Sequence, residues 1–351
     1  MSRYILIYGA TGYTGKLMAK TARQQGLEPI LAGRDAAKAR AVAEPLGLAW
    51  RSFDLADPAR VDDGLKDVAV VLNAAGPFSA TARPMADACI RGRIHYLDIT
   101  GEIDAFEALA ARDADAKAAG VMLLPGAGFD VAPSDCLAAH LKRRLPNATD
   151  LKIYIGGAAT LSRGTMKTAI EGIAAGTRVR RGGRIVTLDR AASGACDFGQ
   201  GPKATAPVSW GDVSTAYHST GIPNIEVQFE ATPAITALAR LPGFVKSFLG
   251  RPFMQTFLKA RVDRQPEGPS DEARRSGRVV LVGVARNEAG ESVRSRLTTP
   301  DGYALTAMTS VDFAHRAASG QFKAGFQTPS LAYGADAILG FAGVRRDDLN
   351  P

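Results

Sequence analysis

Two stretches of this chain hold residues whose types and spacing suit chemistry. The first is Gly9-Ala10-Thr11-Gly12-Tyr13-Thr14-Gly15. It follows the apolar run Tyr4 to Tyr8 and precedes a helical pattern, Lys16 to Gln25, that closes at Gly26. Strand, glycine turn and helix in that order aim backbone N–H groups at a diphosphate. Gly9 permits the tight turn, Gly12 lets the main chain approach the phosphates, and Gly15 lets the helix lie close on the strand. The spacing is G-x-x-G-x-x-G rather than G-x-G-x-x-G, so the glycines alone also fit an unliganded turn; the flanking strand and helix favour the nucleotide. The second stretch is Asp98-Ile99-Thr100-Gly101-Glu102, at the end of a strand expected over 95–98. Asp98 or Glu102 can donate a proton or hold a substrate amine there. Their structural counterpart is a cap from Glu102 on the following helix and a turn tied down by Asp98.

Two weaker candidates lie further along. Ser162-Arg163-Gly164-Thr165 precedes a helix carrying Lys167 on its first turn. Arg163 and the local N–H groups can bind an anion, or Ser162 and Thr165 can simply cap the helix. Tyr303 offers a phenolic proton, although a buried tyrosine with a satisfied hydroxyl is the commoner case.

The elements that would position these groups repeat a strand–helix rhythm. Glu28 to Ala32 reads as a second strand ending at Gly33-Arg34-Asp35. An NAD site places a lone carboxylate here for the ribose 2′-hydroxyl; Arg34, with Lys38 one turn on, suits a 2′-phosphate instead. The expected cofactor is therefore NADP, with NAD through Asp35 as the alternative. Ala49 to Phe53 leads to Asp54, an adenine-side edge, and Val68 to Leu72 delivers Asn73-Ala74-Ala75-Gly76-Pro77-Phe78 at a strand end. In doubly wound sheets ligands lie beyond the carboxyl ends of the strands, so Asn73, Ala75, Gly76 and Pro77 face the nicotinamide half.

With 351 residues, 46% of them hydrophobic, the chain can bury two cores. Residues 1–128 are expected to form a Rossmann domain, a doubly wound parallel α/β sheet with strands near 4–8, 28–32, 49–53, 68–72, 95–98 and 121–124. A helix over 133–144 follows, then an α+β domain over 129–328 built on an antiparallel sheet. Its expected parts are a strand over 151–155, a helix over 165–175, a hairpin around Gly182-Gly183, and an alternating strand over 225–229. A meander over 279–286, 292–298 and 303–308 completes it, with a polar loop over 265–276. Residues 329–351 are expected to return to the first domain as a helix.

Cys89, Cys136 and Cys196 lack metal-ligand spacing, as do the four histidines, and read as buried thiols of a reducing cytoplasm with no metal site. The net charge of +8 comes from arginine clusters near 178–184 and 261–278. They lack interleaved aromatics and any nucleic-acid-binding signature, so a solvated basic face is expected rather than a nucleic-acid partner. No cleaved leader and no membrane span are expected. Thr232 to Lys259 mixes apolar and basic residues, which suits a membrane surface, an apolar substrate channel or a packed helix pair.

Taken together, these blocks resemble the saccharopine dehydrogenase-like oxidoreductases, especially the bacterial branch that includes trans-acting enoyl reductases. The resemblance rests on Gly9 to Gly15, Ala32-Gly33-Arg34, Asn73 to Phe78, His95-Tyr-Leu-Asp-Ile-Thr-Gly-Glu102, Gly128-Phe-Asp-Val-Ala-Pro-Ser-Asp135, Ser162 to Thr165 and Gly325-Phe-Gln-Thr-Pro329. It implies a Rossmann domain, an α+β second domain, NADP and a homodimer formed through the second domain. It also implies reduction of a C=C bond (enoyl, lipid-like or carrier-linked) or a C=N bond. A paired-arginine clamp for two amino-acid carboxylates is not evident, which weighs against saccharopine formation itself. The alternatives are an amino-acid imine reductase and a non-catalytic NADP sensor.

If Arg34 reads the 2′-phosphate, Arg34→Asp raises the dissociation constant for NADPH at least about tenfold more than that for NADH. Titration by intrinsic fluorescence with both coenzymes measures this; equal effects remove Arg34 from that role.

Overall fold

The computed structural model describes residues 4–157, 162–172, 176–188, 192–232, 245 and 248–349. Within them the chain divides into two compact units. The first comprises the residues up to Ala132 together with Tyr303–Tyr333, and the second comprises Pro133–Gly302 with the residues from Gly334 onward.

In the first unit, short runs, most of them apolar, form β1 (Tyr4–Tyr8), β2 (Ile30–Gly33), β3 (Trp50–Ser52), β4 (Val68–Asn73), β5 (His95–Asp98) and β6 (Met122–Leu124). Helices alternate with them: α1 (Tyr13–Gln24), α2 (Ala36–Ala43), α3 (Pro58–Gly64), α4 (Phe78–Gly92), α5 (Ile103–Ala110) and α6 (Asp113–Ala119). A two-residue strand, β15 (Gly325–Phe326), extends the sheet. The order is β15-β6-β5-β4-β1-β2-β3, and every pairing is parallel. Buried on both faces, β4 is continuous Val-Ala-Val-Val-Leu-Asn with every residue inside, as parallel strands between two helix layers must be. Leu6, Tyr8, Val71, Met85, Tyr96 and Leu123 belong to the core. The strand order reverses between β1 and β4, which opens a ligand crevice at their carboxyl ends.

In the second unit, α7 (Ala132–Arg144) leads to β7 (Asp150–Gly156), α8 (Arg163–Gly172), β8 (Thr177–Arg181), β9 (Arg184–Leu188), β10 (Gly194–Asp197) and β11 (Pro202–Pro207). After α9 (Asp212–Thr220) come β12 (Asn224–Glu230), β13 (Arg278–Arg286), β14 (Ser292–Pro300) and β16 (Arg345–Leu349). Gly182 and Gly183 turn the β8–β9 hairpin with φ of 54° and 78°, the left-handed region that a two-residue turn of this kind demands. Leu137 and Leu141 of α7 pack onto Gly283, where a Cβ would stand 2.5 Å from Leu141, so the helix sits tightly on the middle of the sheet.

Three expectations are corrected. The second sheet is mixed rather than antiparallel, because β12 runs parallel to β7 while β13 runs antiparallel to it. Residues 303–308 are not a third meander strand but the start of a helix, Gly302–Ala318. Leu305, Thr309, Phe313 and Ala317 are buried at intervals of four, a period that the shorter alternation at 303–308 conceals. The expected loop over 265–276 contains a helix, Asp271–Ser276, capped by Ser270 accepting from Ala273 N–H at 3.2 Å.

The domain boundaries differ as well. The first unit runs to Ala132 rather than 128, and the segment that returns to it is 303–333; of the expected 329–351 only 329–333, a short helix, goes with it. The tail instead pairs with β14 as β16. Its Arg-Arg-Asp-Asp sequence carries no apolar alternation, so polar contacts identify the strand. Asp348 accepts from Ser295 Oγ at 2.7 Å and meets His140 Nε2 at 2.8 Å, while Asp336 takes both Arg143 and Arg346. Those two guanidiniums hold the Asp336 carboxyl well below the usual carboxylate range.

Candidate functional site

The carboxyl ends of three strands lie level in the first unit: Tyr8 pairs with Asn73, and Asn73 with Asp98. The glycine turn crosses beside this row. Gly9 has φ +82°, and a Cβ there would come within 2.6 Å of the Ala75 nitrogen. A Cβ on Gly15 would strike the Gly9 carbonyl oxygen. Main chain therefore packs on main chain at both positions, and no larger residue fits without moving a strand end. Gly12 is the N-cap of α1, contributes no side-chain cap, and the first turn holds no acidic residue. The positive end of this twelve-residue helix is left to an external anion, which is what a diphosphate requires. Thr11, Tyr13 and Thr14 flank that point.

At the end of β2, Arg34 is exposed and has no ionic partner among the described residues. Asp35 is committed: it caps α2 by accepting from the Lys38 N–H at 3.0 Å, and its carboxylate stands 3.6 Å from Lys38 Nζ. That capping bond, more than the Lys38 charge, holds the Asp35 carboxyl below its ordinary range. Lys38 is thus tied to Asp35, and Arg34 is the guanidinium at this edge. Asp54 closes its own turn by accepting from Ala56 N–H at 3.0 Å.

Below the surface, a buried polar chain fixes the strand ends. Ala75 N–H donates to Asn73 Oδ1 at 3.0 Å, and Asn73 Nδ2 donates to Thr81 Oγ1 and to the Tyr96 hydroxyl, each at 3.3 Å. The Tyr96 hydroxyl donates to Asp98 Oδ2 at 2.7 Å. The other oxygen of Asp98 accepts from Thr100 N–H at 2.9 Å and Gly126 N–H at 3.0 Å. Asn73 and Asp98 are fully buried; Asn73 holds the Ala75 N–H, and Asp98 holds the Thr100 and Gly126 N–H groups. Burial pushes the Asp98 carboxyl up to about 6 against the pull of its three donors.

Glu102 serves neighbouring main chain. It accepts from Phe78 N–H at 2.9 Å and Ser79 N–H at 2.7 Å, so it caps α4 and not the helix that follows it. Tyr303 stands at the start of the Gly302–Ala318 helix, edge-on to Tyr13, with ring centroids 5.2 Å apart at 88°. Arg163 belongs to the second unit, where its Nε donates to the Gln265 carbonyl at 2.5 Å and its N–H to the Glu267 carbonyl at 3.1 Å. Ser162 accepts from Thr165 N–H at 3.3 Å and caps α8.

A residue that the sequence reading did not single out completes the row. Asp130 lies in the loop after β6, half-buried, and its Oδ2 would stand 2.8 Å from a Cβ at Gly101. Among the described residues its carboxylate has no hydrogen-bonding or ionic partner, and desolvation alone raises it to about 7. Beside it, Thr306 accepts from Phe129 N–H at 2.9 Å, and Thr309 donates to the Ala127 carbonyl at 2.7 Å, fixing this loop to the Gly302–Ala318 helix. The usable signal was position: a carboxylate following a strand next to the Asp98 strand. Among the described residues no cluster of His, Cys, Asp or Glu is arranged to hold a metal.

This fold and this turn define a Rossmann-type unit built for a dinucleotide. Residues 5–124 match the family model described as the saccharopine dehydrogenase NADP binding domain, which supports NADP as the dinucleotide. The human saccharopine dehydrogenase-like oxidoreductase is 26% identical over 205 residues, covering 51% of this chain and 48% of that protein. A trans-acting enoyl reductase of Mycobacterium ulcerans is 31% identical over 151 residues, covering 40% of this chain and 35% of that protein. These matches span about half the length of those relatives or less. The fold extends further: saccharopine dehydrogenase (L-Glu forming) from Saccharomyces cerevisiae superposes over 99% of this chain with a TM-score of 0.66 at 14% identity.

The bare Asp130 carboxylate has a consequence for stability. Its folded pKa lies above the ordinary value, so the native state keeps its proton where the unfolded chain gives it up. Native stability therefore falls as pH rises from about 4 to about 7 and is level above. Asp130→Asn removes that loss, and urea denaturation should find the variant more stable than wild type by roughly 1–3 kcal/mol at pH 8, with the gap shrinking toward pH 4. A variant less stable at pH 8 would mean that the carboxylate has a partner.

Proposed function

We propose that this chain is an NADPH-dependent reductase of a C=C or C=N bond, with Asp130 as the proton donor. The observation that carries the reading is the unpartnered, half-buried carboxyl of Asp130, poised near pH 7. It lies on the strand-end side of the sheet where a dinucleotide bound at Gly9 to Gly15 would extend its nicotinamide. Bound NADPH supplies a hydride to one atom of the double bond. The protein's part is to orient the two reactants, keep water out and supply a proton to the other atom.

The residues divide that work. The Gly9–Gly15 turn and the α1 N-terminus hold the diphosphate, Arg34 the 2′-phosphate, and the main chain at Ala75 to Pro77 supports the nicotinamide end. Asp98 and Glu102 position this end by fixing the β5 and α4 turns. Asp130 transfers the proton and is restored by solvent, and Tyr303 with Tyr13 borders the turn. The descriptions of the mycobacterial relatives as enoyl reductases support a C=C substrate, and the basic residues of the chain suit a carrier-linked or coenzyme A-linked acyl group.

The test is NADPH oxidation followed by absorbance over a panel of enoyl thioesters and keto-acid/amine pairs. One class should turn over, with kcat/KM falling as pH rises above about 7 because the donor is then ionised. Asp130→Asn should lower kcat by about 10²–10⁴ with NADPH affinity unchanged. Tight NADPH binding with no oxidation across the panel would favour a sensor, and full activity in Asp130→Asn would remove the proposed donor.

A further inference from the structure

The Pro252–Val262 helix of the second unit exposes aromatic rings to solvent. Phe253 is 57% exposed and Phe257 61%, one turn apart, and Phe248 just ahead of the helix is 45% exposed. Phe248 and Phe253 meet edge-on with centroids 5.7 Å apart, and the Arg251 guanidinium lies 5.7 Å from the Phe248 ring. At about 100° per residue, Phe253, Phe257 and Ala260 fall on one stripe with Arg261 at its border, and Arg264 follows in the turn just past the helix end. All five are exposed.

The opposite face is already used. Lys259 pairs with Glu171 of α8 at 2.6 Å, Lys167 of α8 pairs with Asp263 at 2.6 Å, and Val262 is buried. Glu171 and Asp263 are paired with lysines, Asp263 remaining half-exposed, and no acid falls on the stripe from Phe253 to Ala260. Arg251, Arg261 and Arg264 form no ion pair among the described residues. Part of the basic amphipathic stretch expected over 232–259, including Leu238, Leu241, Phe244 and Lys246, lies outside the described residues.

We propose that this stripe docks on an anionic lipid bilayer surface, with Phe248, Phe253 and Phe257 at the headgroup–acyl boundary and the three arginines on lipid phosphates. Exposed aromatics bordered by unpaired arginines, the nearby Asp263 being neutralised by Lys167, are complementary to such a surface. A second copy fits poorly, because a two-fold contact through this stripe would set like charges against one another. No described helix is long and apolar enough to cross a membrane.

The full chain should float with vesicles of roughly 70:30 phosphatidylcholine to phosphatidylglycerol, weakly with phosphatidylcholine alone, and less in high salt. Phe253→Ser with Phe257→Ser should cut partitioning at least about tenfold, and Arg261→Ser about fivefold. Phe257→Trp gives a readout that does not depend on a damaged variant. Its emission, taken as the difference from wild type with Trp50 and Trp210, should shift to the blue when anionic vesicles are added. Absent flotation of the wild type, or flotation equal in the serine variants, would overturn the proposal. So would an unshifted difference emission in Phe257→Trp. A change of oligomeric state in the serine variants with flotation intact would also overturn it and assign the stripe to protein contacts.

Discussion

Backbone lying on backbone at the end of β1 is the constraint on which the rest of the first unit depends. Gly9 touches the Ala75 main chain, and Gly15 touches the Gly9 carbonyl. Neither contact tolerates a side chain. Together they bring the start of α1 up against the end of β4, so that the helix terminus and the strand end form two sides of one crevice. A glycine turn elsewhere could be loose; this one is held by the sheet on which it rests. The strand end is in turn rigid because Asn73, Tyr96 and Asp98 satisfy one another and the Ala75 N–H beneath it.

Three carboxylates near this crevice have the same chemistry and different environments, and the environments set their tasks. Asp98 is enclosed by three donors and serves the turn. Glu102 receives two main-chain N–H groups and serves α4. Asp130 has no donor among the described residues and is half-buried, so its proton is held up to about neutral pH. A group left in this state costs stability, and such cost is usual where a site needs a poised acid. The division of labour is thus set by hydrogen-bond supply more than by distance.

Much of the first unit was legible in the sequence because its strands are continuous apolar runs between glycine or asparagine punctuation. The strand predicted over 95–98 coincides with β5, and the hairpin at Gly182-Gly183 carries its own turn signal. What escaped was set by tertiary pairing. β16 is charged along most of its length and becomes a strand through β14 and the contacts of Asp348. The parallel β7–β12 contact has no local signature, since relative direction is decided by the connection between strands. Residues 303–308 fit a strand when read alone and a helix when read on to Ala318. At the site, Asp98 and Glu102 stood out as carboxylates at a strand end, but which main-chain groups they serve follows from loops distant in sequence. Asp130 stood inside the Gly128 to Asp135 block without being singled out as a site residue; its meaning comes from what surrounds it in space.

The central claim, a main-chain cradle for the diphosphate, is tested most directly by hydrogen–deuterium exchange of the full chain with and without saturating NADPH. Slowed exchange concentrated in peptides covering Gly12 to Lys16, with smaller effects at Gly33 to Asp35 and Ala74 to Phe78, is the predicted outcome. Unchanged exchange across Gly12 to Lys16 at a saturating coenzyme concentration would contradict it.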